Sequence, residues 1–245
     1  MQPISRDAAL AAVRKMMQFH EETARLFERY GMSLTADLGR RNTLLSAAQE
    51  KFFSDELSAH FRVSTDGRAG QPDIRIRDPE TGETRELECK LTTRNRSGGI
   101  NLQTDYDTLR RKGCLDYLYV IASPEFTEFC VMHFSGLTPD DFRTPAPGSR
   151  GKSGMIKHRC FAKATTLVGE YTSLRDRSLA RVSAALAGSP PPARRRRLEG
   201  ALQYWTAAAD RYTIRLEKVS ASCILNPCDT DQRESVAWNS TATGC

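Results

Sequence analysis

Apolar residues recur at helical spacing over residues 5–30, where Leu10, Val13, Met16 or Met17, and Leu26-Phe27 make one stripe. Ser5 or Asp7 is placed to cap this helix, and Gly31 ends it. A second helical pattern covers 42–60, with Leu44, Leu45, Ala48, Phe52 and Leu57 on or near one face. The period then shortens to two. Residues 61–65 predict a short strand, and 71–92 predict a hairpin in which Ile74 and Ile76 alternate with Asp73, Arg75 and Arg77. On the return strand Leu87, Cys89 and Leu91 alternate with Glu86, Glu88 and Lys90. Residues 101–112 read as a helix stopped by Gly113, and the continuous apolar run 117–122 as a central strand buried on both faces, with a further strand at 129–134. Residues 135–164 read as loop, rich in Pro, Gly and basic residues. Helical spacing returns over 174–186, breaks at Ser189-Pro190-Pro191-Pro192, and resumes with Leu198, Leu202, Trp205, Ala209 and Tyr212, which assigns Trp205 to the core. Residues 214–219 are expected to form a last strand. Beyond Ser220 the chain is polar, with Ile224-Leu225 and Trp238 as its anchors.

The hairpin has a chemical consequence. Its connection, Asp78-Pro79-Glu80-Thr81-Gly82, is strong turn chemistry, and the simplest register sets Asp78 opposite Glu83. Asp73 then lies opposite Glu88, with Lys90 next on the same face, while a bulge in the turn would shift the pairing by one residue. Two opposed carboxylates destabilise a sheet unless a counter-charge joins them. Lys90 supplies one charge, and a hard divalent cation such as Mg²⁺, which takes oxygen ligands, would supply the rest. The competing reading is an amphipathic hairpin with a solvated charged face, in which Arg75 pairs with Glu86.

Pro72-Asp73, with Glu88-Cys89-Lys90 starting fifteen positions after the aspartate, resembles the PD-(D/E)xK signature of restriction-endonuclease-like nucleases. The resemblance covers the central third of the chain, about residues 47–123. It implies that Asp73 and Glu88 bind Mg²⁺ and that Lys90 assists the attacking water, these three being the catalytic set. It also implies an acidic residue on the preceding helix that completes the metal site; Glu50 fits by position, with Glu56 behind it, and each is equally well a solvated helix charge. A glutamine on the following helix supports the site in some branches, a role open to Gln103.

The net charge of +6 and a sequence pI near 9.0 favour polyanionic partners, although a basic soluble protein would look the same. Arg68, Arg94, Arg96, Arg150, Lys152 and Lys157 fall in Gly-bearing loops and are the candidate phosphate contacts, with solvated loop charges as the alternative. Four consecutive arginines, Arg194 to Arg197, crowd a helix start where the macrodipole disfavours cations. The seven cysteines lack any CxxC pair, Cys223 and Cys228 are too isolated for zinc, and Cys89, Cys114 and Cys130 read as buried thiols. This pattern, with no signal-peptide core and no membrane span, points to a cytoplasmic protein. His20 reads as surface or partner-facing, and His133 as a satisfied sheet residue.

The expectation is an α/β, restriction-endonuclease-like core with a mixed central sheet flanked by helices. Residues 1–188 would form the nuclease domain, with 189–245 a helical, basic extension and polar tail. The resemblance implies a Mg²⁺-dependent endonuclease, most simply a type II restriction enzyme that cuts double-stranded DNA as a homodimer and is matched by a cognate DNA methyltransferase. The alternatives are a repair, recombination or mobile-element nuclease, or a non-catalytic DNA-binding protein on the same fold.

Overall fold

The computed structural model describes residues 4–66, 68, 71–95, 97–147, 151–208 and 212–220. Its framework is an α/β arrangement, a mixed central sheet flanked by helices. Helix α1 (Arg6–Arg29) starts at Ser5, whose side chain accepts from the Ala8 N–H. Helix α2 (Leu38–Leu57) begins four residues earlier than the apolar stripe predicts, because Asp37 caps it by accepting from the Gly39 and Arg40 N–H groups.

Strands β1 (Arg62–Ser64), β2 (Ile74–Arg77) and β3 (Thr84–Thr93) form an antiparallel meander. The chain crosses over through β4 (Gln103–Asp105) and α3 (Tyr106–Lys112) to β5 (Leu115–Ala122), which runs parallel to β3. Strand β6 (Glu128–Leu137) returns antiparallel to β5.

Several stretches differ from their sequence reading. Residues 101–112 are not one helix: Asp105 accepts from the Thr108 N–H at 2.9 Å and starts α3 there, leaving Gln103 on β4. The region 135–164 contains β7 (Lys152–Gly154), paired with β4, and α4 (Lys157–Phe161), which buries Cys160 and Phe161. Two further strands, β8 (Ala164–Val168) and β9 (Glu170–Ser173), precede α5 (Leu174–Ala187). Gly169 joins them with φ +77°, where a Cβ would stand 2.7 Å from the Arg215 carbonyl.

Helix α6 (Pro192–Ala207) buries no residue, so Trp205 is not core; it is half-buried, edge-on to Tyr204. Strands β10 (Tyr212–Arg215) and β11 (Glu217–Lys218) pair with β9 and β6, which ties the C-terminal extension to the first 188 residues. Tyr212 stacks on Phe161 and Tyr171. Ala209 and the tail with Ile224, Leu225 and Trp238 lie outside the described residues.

The two faces of the sheet carry different cores. Ile74, Ile76, Leu87, Leu118, Val120 and Val131 pack beneath α1 and α2. Tyr117, Tyr119, Ile121, Met132 and Phe134 pack on the other face with Leu109, Met155 and Phe161. Strand β5 contributes to both, as its unbroken apolar run requires. Each large side chain so buried contributes about 1.5–3 kcal/mol. His20 is buried, contrary to expectation, and stacks on Phe126 at 4.8 Å. Cys114 is exposed, while Cys89 and Cys130 are buried. Among the described residues no helix is long and apolar enough to cross a membrane.

Candidate active site

The β2–β3 hairpin brings the first two residues of the site together. Asp78 donates its N–H to the Glu83 carbonyl at 2.9 Å, and its side chain accepts from the Glu80 and Thr81 N–H groups. Gly82, at φ +72°, lets the chain reverse without a bulge. The register pairs Arg75 with Glu86 and Ile74 with Leu87, and its continuation sets Asp73 opposite Glu88, one residue beyond the paired strand. Arg75 and Glu86 form the expected cross-strand ion pair at 2.8 Å.

Strand β2 begins at Ile74, and just before it the Asp73 carboxylate accepts the Cys89 N–H at 2.7 Å. Glu88 and Lys90 share the opposite face of β3 from Cys89, since side chains alternate along a strand. The Lys90 ammonium donates to Glu88 Oε1 at 2.7 Å, and the Glu88 side chain is only 15% exposed.

Helix α2 delivers the third carboxylate. Gln49 is fully buried and donates to the Leu118 carbonyl at 3.0 Å, which docks α2 against the sheet. Glu50, the next residue, thereby lines a cleft of about 590 Å³ that also holds Asp73, Lys90, Asn42, Gln103 and Lys152. Glu56 is not part of it, being paired with Lys15 at 2.6 Å.

The electrostatics match this convergence. Burial raises the Asp73 pKa, and the Glu88 charge raises it further against the opposing pull of Lys90 and the Cys89 N–H. Glu50 is raised by burial and then by Asp73, with Lys90 opposing. Burial pulls Lys90 down, but its charge pairing and hydrogen bond with Glu88 win and hold it above the ordinary lysine value. Lys90 is therefore a firm ammonium, suited to orienting water or meeting a developing negative charge rather than to accepting a proton.

These donors fit Mg²⁺ in chemistry. They are hard carboxylate oxygens that repel one another, and Mg²⁺ commonly takes one or two carboxylates and fills its octahedron with water and phosphate. Among the described residues no group of three His, Cys, Asp or Glu side chains is arranged to hold a metal by itself. Asp73 and Glu50 are the carboxylates that line the cleft, and Glu88 acts on Asp73 through its charge.

The remaining candidates divide. Gln103 and Lys152 line the cleft from the paired strands β4 and β7, so Gln103 reaches the site from a strand and not from a helix. Arg68 is committed to Asp66 at 2.6 Å on the surface. Arg94 donates to the Ile214 carbonyl on β10, and this structural bond removes it from the free phosphate contacts. Lys157 is exposed on α4 and is not among the cleft residues. Arg96 and Arg150 lie outside the described residues.

Two supporting residues escaped the sequence reading. Gln49 is one. Arg41, one helical turn before Leu45, is the other: it is fully buried, donates to Thr93 at 2.7 Å and to the Pro124 carbonyl, and lies 5.0 Å from the Phe126 ring centre. Their signal was a polar residue at i and i+8 of the face that carries Leu45.

Comparison of the chain with protein-family models, with curated proteins and with solved structures gives no match.

Proposed function

We propose that the protein is a Mg²⁺-dependent DNA endonuclease of the PD-(D/E)xK type. The observation that carries this reading is a cleft lined by Glu50, Asp73 and Lys90, with Lys90 bonded to Glu88 at 2.7 Å and the Glu88 charge acting on Asp73. The antiparallel meander followed by a crossover to a parallel strand supports it as a restriction-endonuclease-like arrangement.

In this mechanism Asp73 and Glu88 would hold Mg²⁺, and Glu50 would complete their negative charge. When bound, the ion supplies charge neutralisation for the phosphodiester and lowers the pKa of a water molecule. Lys90, as an ammonium beside the water's approach, would donate to the phosphate oxygens and stabilise their negative charge as water adds to phosphorus and the sugar oxygen leaves, the proton of that water passing to solvent. Gln103 and Lys152 position the backbone of the DNA from the far wall of the cleft.

Among the biological roles open to such a site, we favour a type II restriction enzyme. It would act in the cytoplasm as a homodimer on a short double-stranded site, alongside a cognate DNA methyltransferase. The test is incubation of unmethylated plasmid with Mg²⁺, Ca²⁺ or EDTA. Discrete fragments with Mg²⁺ alone are expected. A smear, or a preference for branched or nicked DNA, would move the role to repair or recombination, and binding without cleavage under any condition would overturn the enzymatic reading.

A further inference from the structure

The chain's positive charge is concentrated far from the cleft residues in sequence. Helices α5 and α6 form a hairpin that carries seven arginines against only Asp176 and Glu199, a net +5 of the chain's +6. Arg194, Arg195, Arg196 and Arg197 are all exposed, and among the described residues none of their side chains has an ion-pair partner. They occupy the start of α6, whose first turn has no acidic residue, so the helix dipole opposes them.

Helix α6 has two distinct sides. Leu198, Leu202 and Trp205 are half-buried and occupy one stripe. The other side presents Arg196 and Arg197, then Gly200 three to four residues on and Tyr204 four beyond that. Tyr204 is 65% exposed. Gly200 is an unforced glycine within this helix: a Cβ there would meet nothing within 4 Å. A helix-interior glycine weakens the helix. What it provides is an open approach to the backbone between two guanidinium groups and an exposed aromatic ring.

We infer that this face of α6 is a second contact surface for nucleic acid, which grips the phosphate backbone of a DNA duplex. Arginine forks match phosphate oxygens in pairs, Gly200 lets the backbone lie close, and Tyr204 adds a hydroxyl or a stacking face. An anionic membrane fits less well, because the apolar stripe of α6 is half-buried and leaves no insertion surface. The inference rests on the nuclease reading for the identity of its polyanion, and it adds contacts outside the residues that line the cleft.

The test uses the full chain in EDTA, where cleavage plays no part. Binding of a fluorescein-labelled 30-base-pair duplex is followed by anisotropy across a salt series. The R196Q/R197Q double variant should bind about ten- to a hundredfold more weakly, and its salt slope should flatten by about 1–2. Gly200→Leu should weaken binding as well while its thermal midpoint holds or rises, which a purely structural glycine would not produce. Unchanged affinity and slope in both variants would overturn the inference, as would stronger binding to phosphatidylserine vesicles than to DNA. The two readings fail separately. Arm variants that bind normally while Asp73→Asn abolishes cleavage sink only this surface, whereas weakened binding by the arm variants, with a wild type that binds but never cuts, sinks only the nuclease.

Discussion

Asp73→Asn should make the protein more stable and inactive at once. The asparagine oxygen can still accept the Cys89 N–H that Asp73 holds at 2.7 Å, so the hairpin keeps its tie. What disappears is a charge that burial and the facing Glu88 disfavour. Because the folded-state pKa of Asp73 is raised, the stability linked to its protonation is fully present below the unfolded value, near 3.9. That stability is lost as pH rises through the folded value. The variant escapes this loss, so its advantage should be absent in acid and grow towards neutrality. Relief of opposed cross-strand charges is worth about 0.2–1 kcal/mol, which for a chain of this size raises the thermal midpoint by up to about 4 °C. The assay is thermal unfolding of both proteins in EDTA from acid to neutral pH, repeated with Mg²⁺. Mg²⁺ at a hundred times its dissociation constant should add about 2.7 kcal/mol to the wild type and far less to the variant. Cleavage should fall by on the order of a thousandfold, the worth of several kcal/mol of transition-state stabilisation. A variant less stable than wild type at neutral pH, unaltered in its response to Mg²⁺ and still active, would refute the reasoning and leave an ordinary surface hairpin.

Lys90→Met should act in the opposite sense on stability, because it strips Glu88 of its 2.7 Å partner; a loss of about 1.5–3 kcal/mol in EDTA, partly recovered with Mg²⁺, is expected by denaturant titration, and unchanged stability would contradict the pairing. Gly82→Val places a β-branched residue at φ +72° in the turn that sets the Asp73–Glu88 register, so it should cost about 1–3 kcal/mol and reduce cleavage, which urea midpoints and initial rates would report together. His20 is held neutral by burial and by the nearby Arg41 charge, with its pKa lowered to about 4. The unfolded chain then binds the extra proton below pH 6.5, so stability should fall from pH 6.5 towards 4 by up to about 3 kcal/mol; a His20→Gln variant should lack that slope, and an equal slope in both proteins would exclude His20 as its source.

The hairpin and its register were legible because local chemistry dictates them. Asp78-Pro79 and Gly82 permit one tight reversal, and the alternating Ile74, Ile76, Leu87 and Cys89 allow only one face inward. Glu50 was named through the resemblance, as the acidic residue on the preceding helix, and it lines the cleft with Asp73. What the chain did not disclose depends on partners distant in sequence. Arg94 looks like a free loop cation, yet its guanidinium is held by the carbonyl of Ile214 on β10. Gln103 sits beside an equally good helix signal, but Asp105 takes the cap and β7 takes Gln103 as a strand neighbour. His20 looks polar and exposed until Phe126 stacks on it. Strands β8 and β9 are only five and four residues long, too short for periodicity to separate them from loop.

The most direct trial of the proposed chemistry is single-turnover cleavage of a DNA duplex by wild type, Asp73→Ala, Glu88→Ala and Lys90→Ala, with Mg²⁺ and with EDTA. Cleavage by the wild type with Mg²⁺ alone, and its loss in all three variants while they remain folded and still bind DNA, is the expected result. Equal cleavage by the wild type and any folded variant of Asp73 or Glu88, or cleavage that persists in EDTA, would contradict it.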